Sequence, residues 1–86
     1  MKITFSRNAW DDYIFWQKED KRILRKINEL IKDIQRTPFE GLGKPEQLRY
    51  DLTGLWSRRI DLEHRLVYQH HDDEILIYCC RFHYDK

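Results

Sequence analysis

No run of apolar residues in this chain approaches the length needed to cross a bilayer, and Met1-Lys2 leads straight into an amphipathic pattern. Neither a membrane-spanning helix nor a secretory signal is therefore expected. Cysteine is scarce, and the two that occur, Cys79 and Cys80, are neighbours. Adjacent side chains of a strand point to opposite faces, and a disulfide between neighbours needs strained geometry. The pair reads as two buried thiols in a reducing cytoplasm. Net charge is nearly absent at +1, so the overall balance does not by itself announce a nucleic-acid partner. Repeats, linkers and low-complexity segments are missing as well. Gly41-Leu42-Gly43-Lys44 is no phosphate loop, because it follows a helical pattern and lacks the P-loop spacing. No serine or cysteine sits in a nucleophile's setting. His70-His71 and Asp72-Asp73 lie together at an expected hairpin tip, where adjacent side chains diverge, so they read as a solvated turn and no metal site is assigned.

What is present is charge of both signs, 36% of 86 residues, and an aromatic share of 14%. That aromatic content argues against disorder. The length fits a single domain, residues 1–86, with a small core. Patches of charge matter more here than totals.

Lys2–Phe5 reads as a short strand. Ser6 is a helix N-cap candidate, with Trp10, Tyr13, Ile14 and Gln17 following at helical spacing and Asp11 and Asp12 near the favourable end of the helix dipole. Asp20 is a second N-cap. It opens the clearest pattern in the chain, an apolar stripe at Ile23, Leu24, Ile27, Leu30, Ile31 and Ile34. Lys21, Arg22, Arg25, Lys26, Lys32 and Arg36 cover the other face, either as a solvated surface or as an electrostatic footprint for ribosomal RNA. Pro38 ends this helix. After the Gly/Pro loop at 39–46 the period changes to two. Strands are expected at Gln47–Asp51, Leu55–Asp61, Arg65–His71 and Glu74–Tyr84, with turns at Thr53-Gly54, Leu62–His64 and Asp72-Asp73. The order predicts an α+β fold: an N-terminal strand, then an antiparallel two-helix hairpin packed on one face of a mainly antiparallel, twisted sheet.

Strict alternation along the last strand puts Ile75, Ile77, Cys79, Arg81 and His83 on one face. Arg65 shares a face with Val67, and Arg59 with Leu55 and Ser57. If those faces align, the sheet holds a concave cluster of Arg59, Arg65, Arg81 and His83, with Glu46 in reach. Each residue alone is ordinary: an exposed C-terminal histidine, a loop acid, arginines that solvate a strand. Together they could cleave RNA. Guanidinium groups match phosphate oxygens in a bidentate fork. RNA supplies its own nucleophile, the 2′-hydroxyl, so the protein needs only a base, an acid and positive charge on the developing phosphorane. DNA lacks that hydroxyl. The rival expectation is a module that binds ribosomal RNA and blocks translation without cutting. A DNA-binding helical hairpin is weaker, because the apolar stripes of the helices are needed for the core.

Several segments carry a resemblance: Trp10-Asp11-Asp12-Tyr13, Lys26-Ile27-Asn28-Glu29-Leu30-Ile31-Lys32-Asp33, Arg36-Thr37-Pro38-Phe39-Glu40-Gly41, Gly43-Lys44-Pro45-Glu46, Leu55-Trp56-Ser57-Arg58-Arg59-Ile60, Glu63-His64-Arg65-Leu66-Val67-Tyr68 and Cys80-Arg81-Phe82-His83-Tyr84. In these the chain resembles the YoeB branch of the RelE-like toxins over essentially its whole length. The resemblance implies a microbial-ribonuclease-like fold and a bacterial cytoplasmic toxin of a type II toxin–antitoxin system. It implies a homodimer that cleaves mRNA in the A site of the 70S ribosome without a metal or other cofactor. Inhibition by a YefM-like antitoxin is implied too, with operator DNA bound indirectly through that complex. On matching positions, Glu46 is implied as general base, Arg65 as phosphate and transition-state stabiliser, and His83 as general acid. Arg59 is implied as a phosphate contact and Tyr84 as a neighbour that holds substrate. Arg49 stands where relatives often carry lysine, and Tyr50 where a histidine can occur. A free histidine titrates at ~6.5, so His83 as an acid needs its proton held, and substrate phosphates favour the charged form.

Overall fold

The computed structural model describes residues 1–82. Its elements run β1 (Lys2–Phe5), α1 (Arg7–Glu19), α2 (Lys21–Arg36), β2 (Glu46–Gln47), a 3₁₀ turn at Tyr50–Leu52, β3 (Trp56–Arg59), β4 (Arg65–His71) and β5 (Glu74–Cys79). The strands form one sheet in the order β1-β5-β4-β3-β2. β1 runs parallel to β5, and every other pairing is antiparallel. The result is an α+β fold of two helices on a mixed sheet, as the order of patterns predicts.

Both helices start where a side chain can take their free amides. Ser6 Oγ accepts from Ala9 N at 3.0 Å and donates to Tyr78 O at 2.8 Å, which ties the start of α1 to β5. Asp20 Oδ1 accepts from Arg22 N and Ile23 N at 3.0 and 3.3 Å. In α2 the apolar stripe faces the sheet: Ile27, Leu30 and Ile34 are fully buried, and Ile23, Leu24 and Ile31 pack beside them. Each fully buried side chain of this kind contributes ~1.5–3 kcal/mol. The buried face of α1 differs from the expected stripe. It runs through Ala9, Asp12 and Trp16, while Trp10 is 48% exposed and Gln17 lies in solvent. Asp11 and Asp12 lie beyond the first turn, and Asp12 is turned into the core rather than placed for the helix dipole.

The sheet differs from expectation in three places. The strand expected at Gln47–Asp51 is only Glu46–Gln47, because Leu52 N and Thr53 N bond back to Arg49 O and Tyr50 O, and Tyr50 sits at φ +61°. β3 spans Trp56–Arg59 rather than Leu55–Asp61, since Leu55 N closes a turn on Leu52 O and the amides of Ile60 and Asp61 point to His64 O. β5 ends at Cys79 rather than Tyr84, and side chains of α1 take over the backbone groups of Cys80. Strict alternation in β5 also fails. Val67 pairs with Cys79 and Tyr68 with Ile77, so Tyr78 is an extra residue, a β-bulge that reverses the phase. Ile75, Ile77 and Cys80 therefore enter the core beneath the helices, and Cys79 turns to the opposite face with Val67.

Candidate active site

The helices cover the face of the sheet that carries Arg58, Leu66 and Tyr68. Register places the other face. Glu46 pairs with Ser57, Ser57 with Val67 and Val67 with Cys79, so these four form one row across the sheet. Arg59 pairs directly with Arg65 one step along the same face. The structure thus brings Glu46, Arg59 and Arg65 onto one uncovered surface. Beside them a cavity of about 370 Å³ is lined by Asn8, Leu55, Val67, Tyr78 and Cys79. Burial pushes the Cys79 thiol up to about 11, so it is an apolar wall rather than a nucleophile.

Glu46 and Arg59 are exposed and Arg65 is half-buried. Arg65 Nη1 donates to the carbonyls of Asp61 and His64 at 3.1 and 3.3 Å, which orients the guanidinium without neutralising it. Among the described residues neither Arg59 nor Arg65 is in a salt bridge. Two arginines at directly paired positions on one face, neither in a salt bridge among the described residues, concentrate positive charge that an anion placed there would offset. Arg49 is exposed at the head of the 3₁₀ turn that follows β2.

Arg81 does not join Arg59 and Arg65 in the expected cluster. β5 has already ended, and its guanidinium lies 3.6 Å over the ring of Phe15 on α1 and 4.5 Å over that of Phe82. His83 and Tyr84 lie outside the described residues.

Two sets of buried polar residues present this surface, and the sequence reading missed the roles of both. The first holds the loop leading into β2. Arg58, fully buried, donates to Asp33 Oδ2 at 2.6 Å, to the carbonyls of Thr37, Glu40 and Leu42 at 2.6, 3.0 and 3.1 Å, and to Tyr68 Oη at 3.1 Å. Tyr68 Oη in turn donates to Pro38 O at 2.6 Å. The Leu42 amide and the Arg58 guanidinium hold the Asp33 carboxyl below its usual range. Gly43 O accepts from Arg59 N at 2.7 Å, so the loop lies against β3 just before Glu46.

The second set holds the segment after β5. Asp12 Oδ2 accepts from Cys80 N at 3.0 Å and Trp16 Nε1 donates to Cys80 O at 2.9 Å. His64, buried, accepts from Phe82 N at its Nδ1 at 2.7 Å, and Arg65 N donates to Phe82 O at 3.0 Å. Burial raises the Asp12 carboxyl above its usual value, opposed by the Cys80 amide and the Arg81 charge. One signal for Asp12 was present in the sequence: it sits at i+3 from Ala9 and i−4 from Trp16, an acid on the buried stripe. Arg58 and His64 carry no such local signal, although each stands in a segment that bears the family resemblance.

Comparison with known proteins is consistent along the chain. Residues 5–84 match the model of the family described as "YoeB-like toxin of bacterial type II toxin-antitoxin system". Toxin YoeB of Escherichia coli K12 is 63% identical over 84 residues, 98% of this chain and 100% of the relative. A solved YoeB/ParE toxin from Agrobacterium tumefaciens superposes with a TM-score of 0.94 at 51% identity, covering 98% of this chain and 100% of that one. A YoeB dimer from Staphylococcus aureus superposes at 0.92 with 52% identity, and a heterotetrameric YoeB–YefM complex from the same organism at 0.90 with 52%; each covers 98% of both chains.

Proposed function

Because this chain belongs to the YoeB-like toxins of bacterial type II toxin–antitoxin systems, we propose that it is an endoribonuclease that cleaves mRNA in the A site of the ribosome and so stops translation. The observation that carries this reading is the sheet register, which sets Glu46, Arg59 and Arg65 on one uncovered face.

In the proposed reaction Glu46 takes the proton of the 2′-hydroxyl, and the 2′-oxygen attacks the adjacent phosphorus. The bond from phosphorus to the 5′-oxygen breaks as His83 gives that oxygen a proton. The products are a 2′,3′-cyclic phosphate and a free 5′-hydroxyl. Arg65, with Arg59, stabilises the extra negative charge on the phosphorane oxygens. Each acid or base contributes ~10²–10⁴-fold. Arg49 and Tyr84 are proposed to hold the RNA around this phosphate. The exposed cations of α2, Lys21, Arg22, Arg25, Lys32 and Arg36, supply the long-range attraction to ribosomal RNA. His83 acts as an acid chiefly in the bound state, where the phosphates favour its proton.

The setting is the bacterial cytoplasm. The proposed partners are a second copy of the chain and a YefM-like antitoxin, whose complex with the toxin carries operator DNA binding. The S. aureus dimer and YoeB–YefM assemblies support the protein partners.

The test is cleavage of mRNA on programmed ribosomes in the presence of chelator. Glu46→Ala, Arg65→Ala and His83→Ala should each lose activity, by ~10²-fold or more, while keeping the fold. New 5′ ends seen by primer extension support cutting. Stalled ribosomes without new ends would instead establish a toxin that blocks translation by binding alone.

A further inference from the structure

We propose that His64 is a positioning residue for this reaction: by accepting the Phe82 amide it fixes where the segment carrying His83 begins. The proposal rests on the ribonuclease reading above and adds to it a residue that touches no substrate.

Phe82 adopts φ +68°, a left-handed conformation that an aromatic side chain disfavours and that surrounding contacts must hold. Two hydrogen bonds hold it: its amide donates to His64 Nδ1 at 2.7 Å, and its carbonyl accepts from Arg65 N at 3.0 Å. An Nδ1 that accepts carries no proton, so the neutral ring must be the Nε2–H tautomer. Nε2 lies 3.6 Å from Glu63 Oε1, beyond hydrogen-bond distance but with a negative charge on the side where that proton points.

The ring itself is fixed. It is buried, edge-on to Trp16 with centroids 4.8 Å apart, and Trp16 is the residue that holds Cys80 O. The His64 backbone is fixed too, with its amide on Asp61 Oδ1 at 2.6 Å and its carbonyl accepting from Ile60 N at 2.9 Å. The dipeptide His64-Arg65 therefore does two things at once. It presents the Arg65 guanidinium on the open face, and it grips both backbone polar groups of Phe82, the residue immediately before His83 in sequence. The two residues at the entry to β4 thus set the phosphate-binding charge and the origin of the acid's segment together. A core histidine with no part in the reaction would need a satisfied ring but not this choice of partner.

The experiment uses the whole toxin with its ribosomal substrate. Nitrogen-detected NMR should show His64 as the Nε2–H tautomer, and the Phe82 amide should be protected from exchange. His64→Leu removes the acceptor and keeps an apolar filler; kcat should fall by ~10²-fold, the scale of a small misplacement of a reacting group, with KM changed little. His64→Asn, whose amide oxygen can stand near Nδ1, should recover about tenfold or more of that loss. An Nδ1–H tautomer, or a Leu variant with wild-type kcat, overturns the proposal and leaves the ribonuclease reading intact. A wild-type toxin that makes no new RNA ends removes the reading and the role together. If the Leu variant does not fold, the Asn variant decides. Protected Phe82 with retained kcat supports the role, and unprotected Phe82 with wild-type kcat refutes it.

Discussion

Replacing Arg58 by methionine asks what holds the loop ahead of Glu46. Methionine copies the apolar stem of arginine and none of its donors. The change strands Asp33 at the edge of the core, 9% exposed, and removes a donor from the carbonyls of Thr37, Glu40 and Leu42 and from Tyr68 Oη. Removing one partner of a buried ion pair costs ~3–5 kcal/mol. A domain of 86 residues is stable by roughly 4–13 kcal/mol at ~0.05–0.15 per residue, so the loss is a large part of the whole. At ~4–8 °C per kcal/mol, Tm should fall by roughly 12–40 °C. Urea unfolding followed by tryptophan fluorescence measures the change. Asp33→Asn and the double variant complete a cycle, with a coupling of ~0.5–3 kcal/mol expected. The pH dependence gives a second check. The depressed Asp33 carboxyl stabilises the fold above its unfolded pKa of ~3.9, and that stabilisation is lost as pH falls through its lower folded value. The Arg58→Met protein loses the guanidinium's share of it at every pH while the Leu42 amide keeps its own, so the gap between the two proteins should narrow in acid. A loss under about 1 kcal/mol, or strict additivity in the cycle, would refute a buried pair that holds this loop.

Gly43 sits at φ +79°, and a Cβ there would lie 3.0 Å from both Arg59 O and Leu30 Cδ2. Gly43→Ala should destabilise by ~1–3 kcal/mol in the same unfolding assay, since both the backbone region and the space oppose it. The Asp12 carboxyl, raised mainly by burial, is easier to protonate folded than unfolded, so its contribution is most favourable in acid and declines as pH rises through its folded value. Asp12→Asn keeps an acceptor for the Cys80 amide without the buried charge. Its Tm at neutral pH should match or exceed that of wild type, whereas Asp12→Leu, which leaves that amide unpaired, should lose ~1–3 kcal/mol.

Elements whose cause is local were legible in the sequence. The Ser6 and Asp20 caps, the α2 stripe and the stop at Pro38 all depend on neighbours within a few positions, and all stand in the structure. The phase of α1 was misread because bulky Trp10 suggested a core face that Ala9 and Asp12 occupy. The β5 bulge was not legible, since an extra residue at Tyr78 exists only relative to the partner strand β4. Alternation left the alignment of Arg59 with Arg65 conditional on how the strands pair; the register pairs those two positions, and Arg81 lies apart because the strand ends at Cys79. Nothing local in the sequence singled out Arg58. Its burial follows from a loop of carbonyls at 37–42 whose convergence no local pattern announces.

The parallel pairing of β1 with β5 joins Lys2–Phe5 to Glu74–Ile77, the two ends of the described chain. Synthesis proceeds from the amino end, so β1 must wait for β5 before it finds its place, and sheets closed by such distant contacts assemble slowly. The α2 stripe stays without its sheet over the same interval. A nascent copy thus meets the translation machinery before its own β-sheet can close, and the proposed cutting surface comes into being only once β5 has been made.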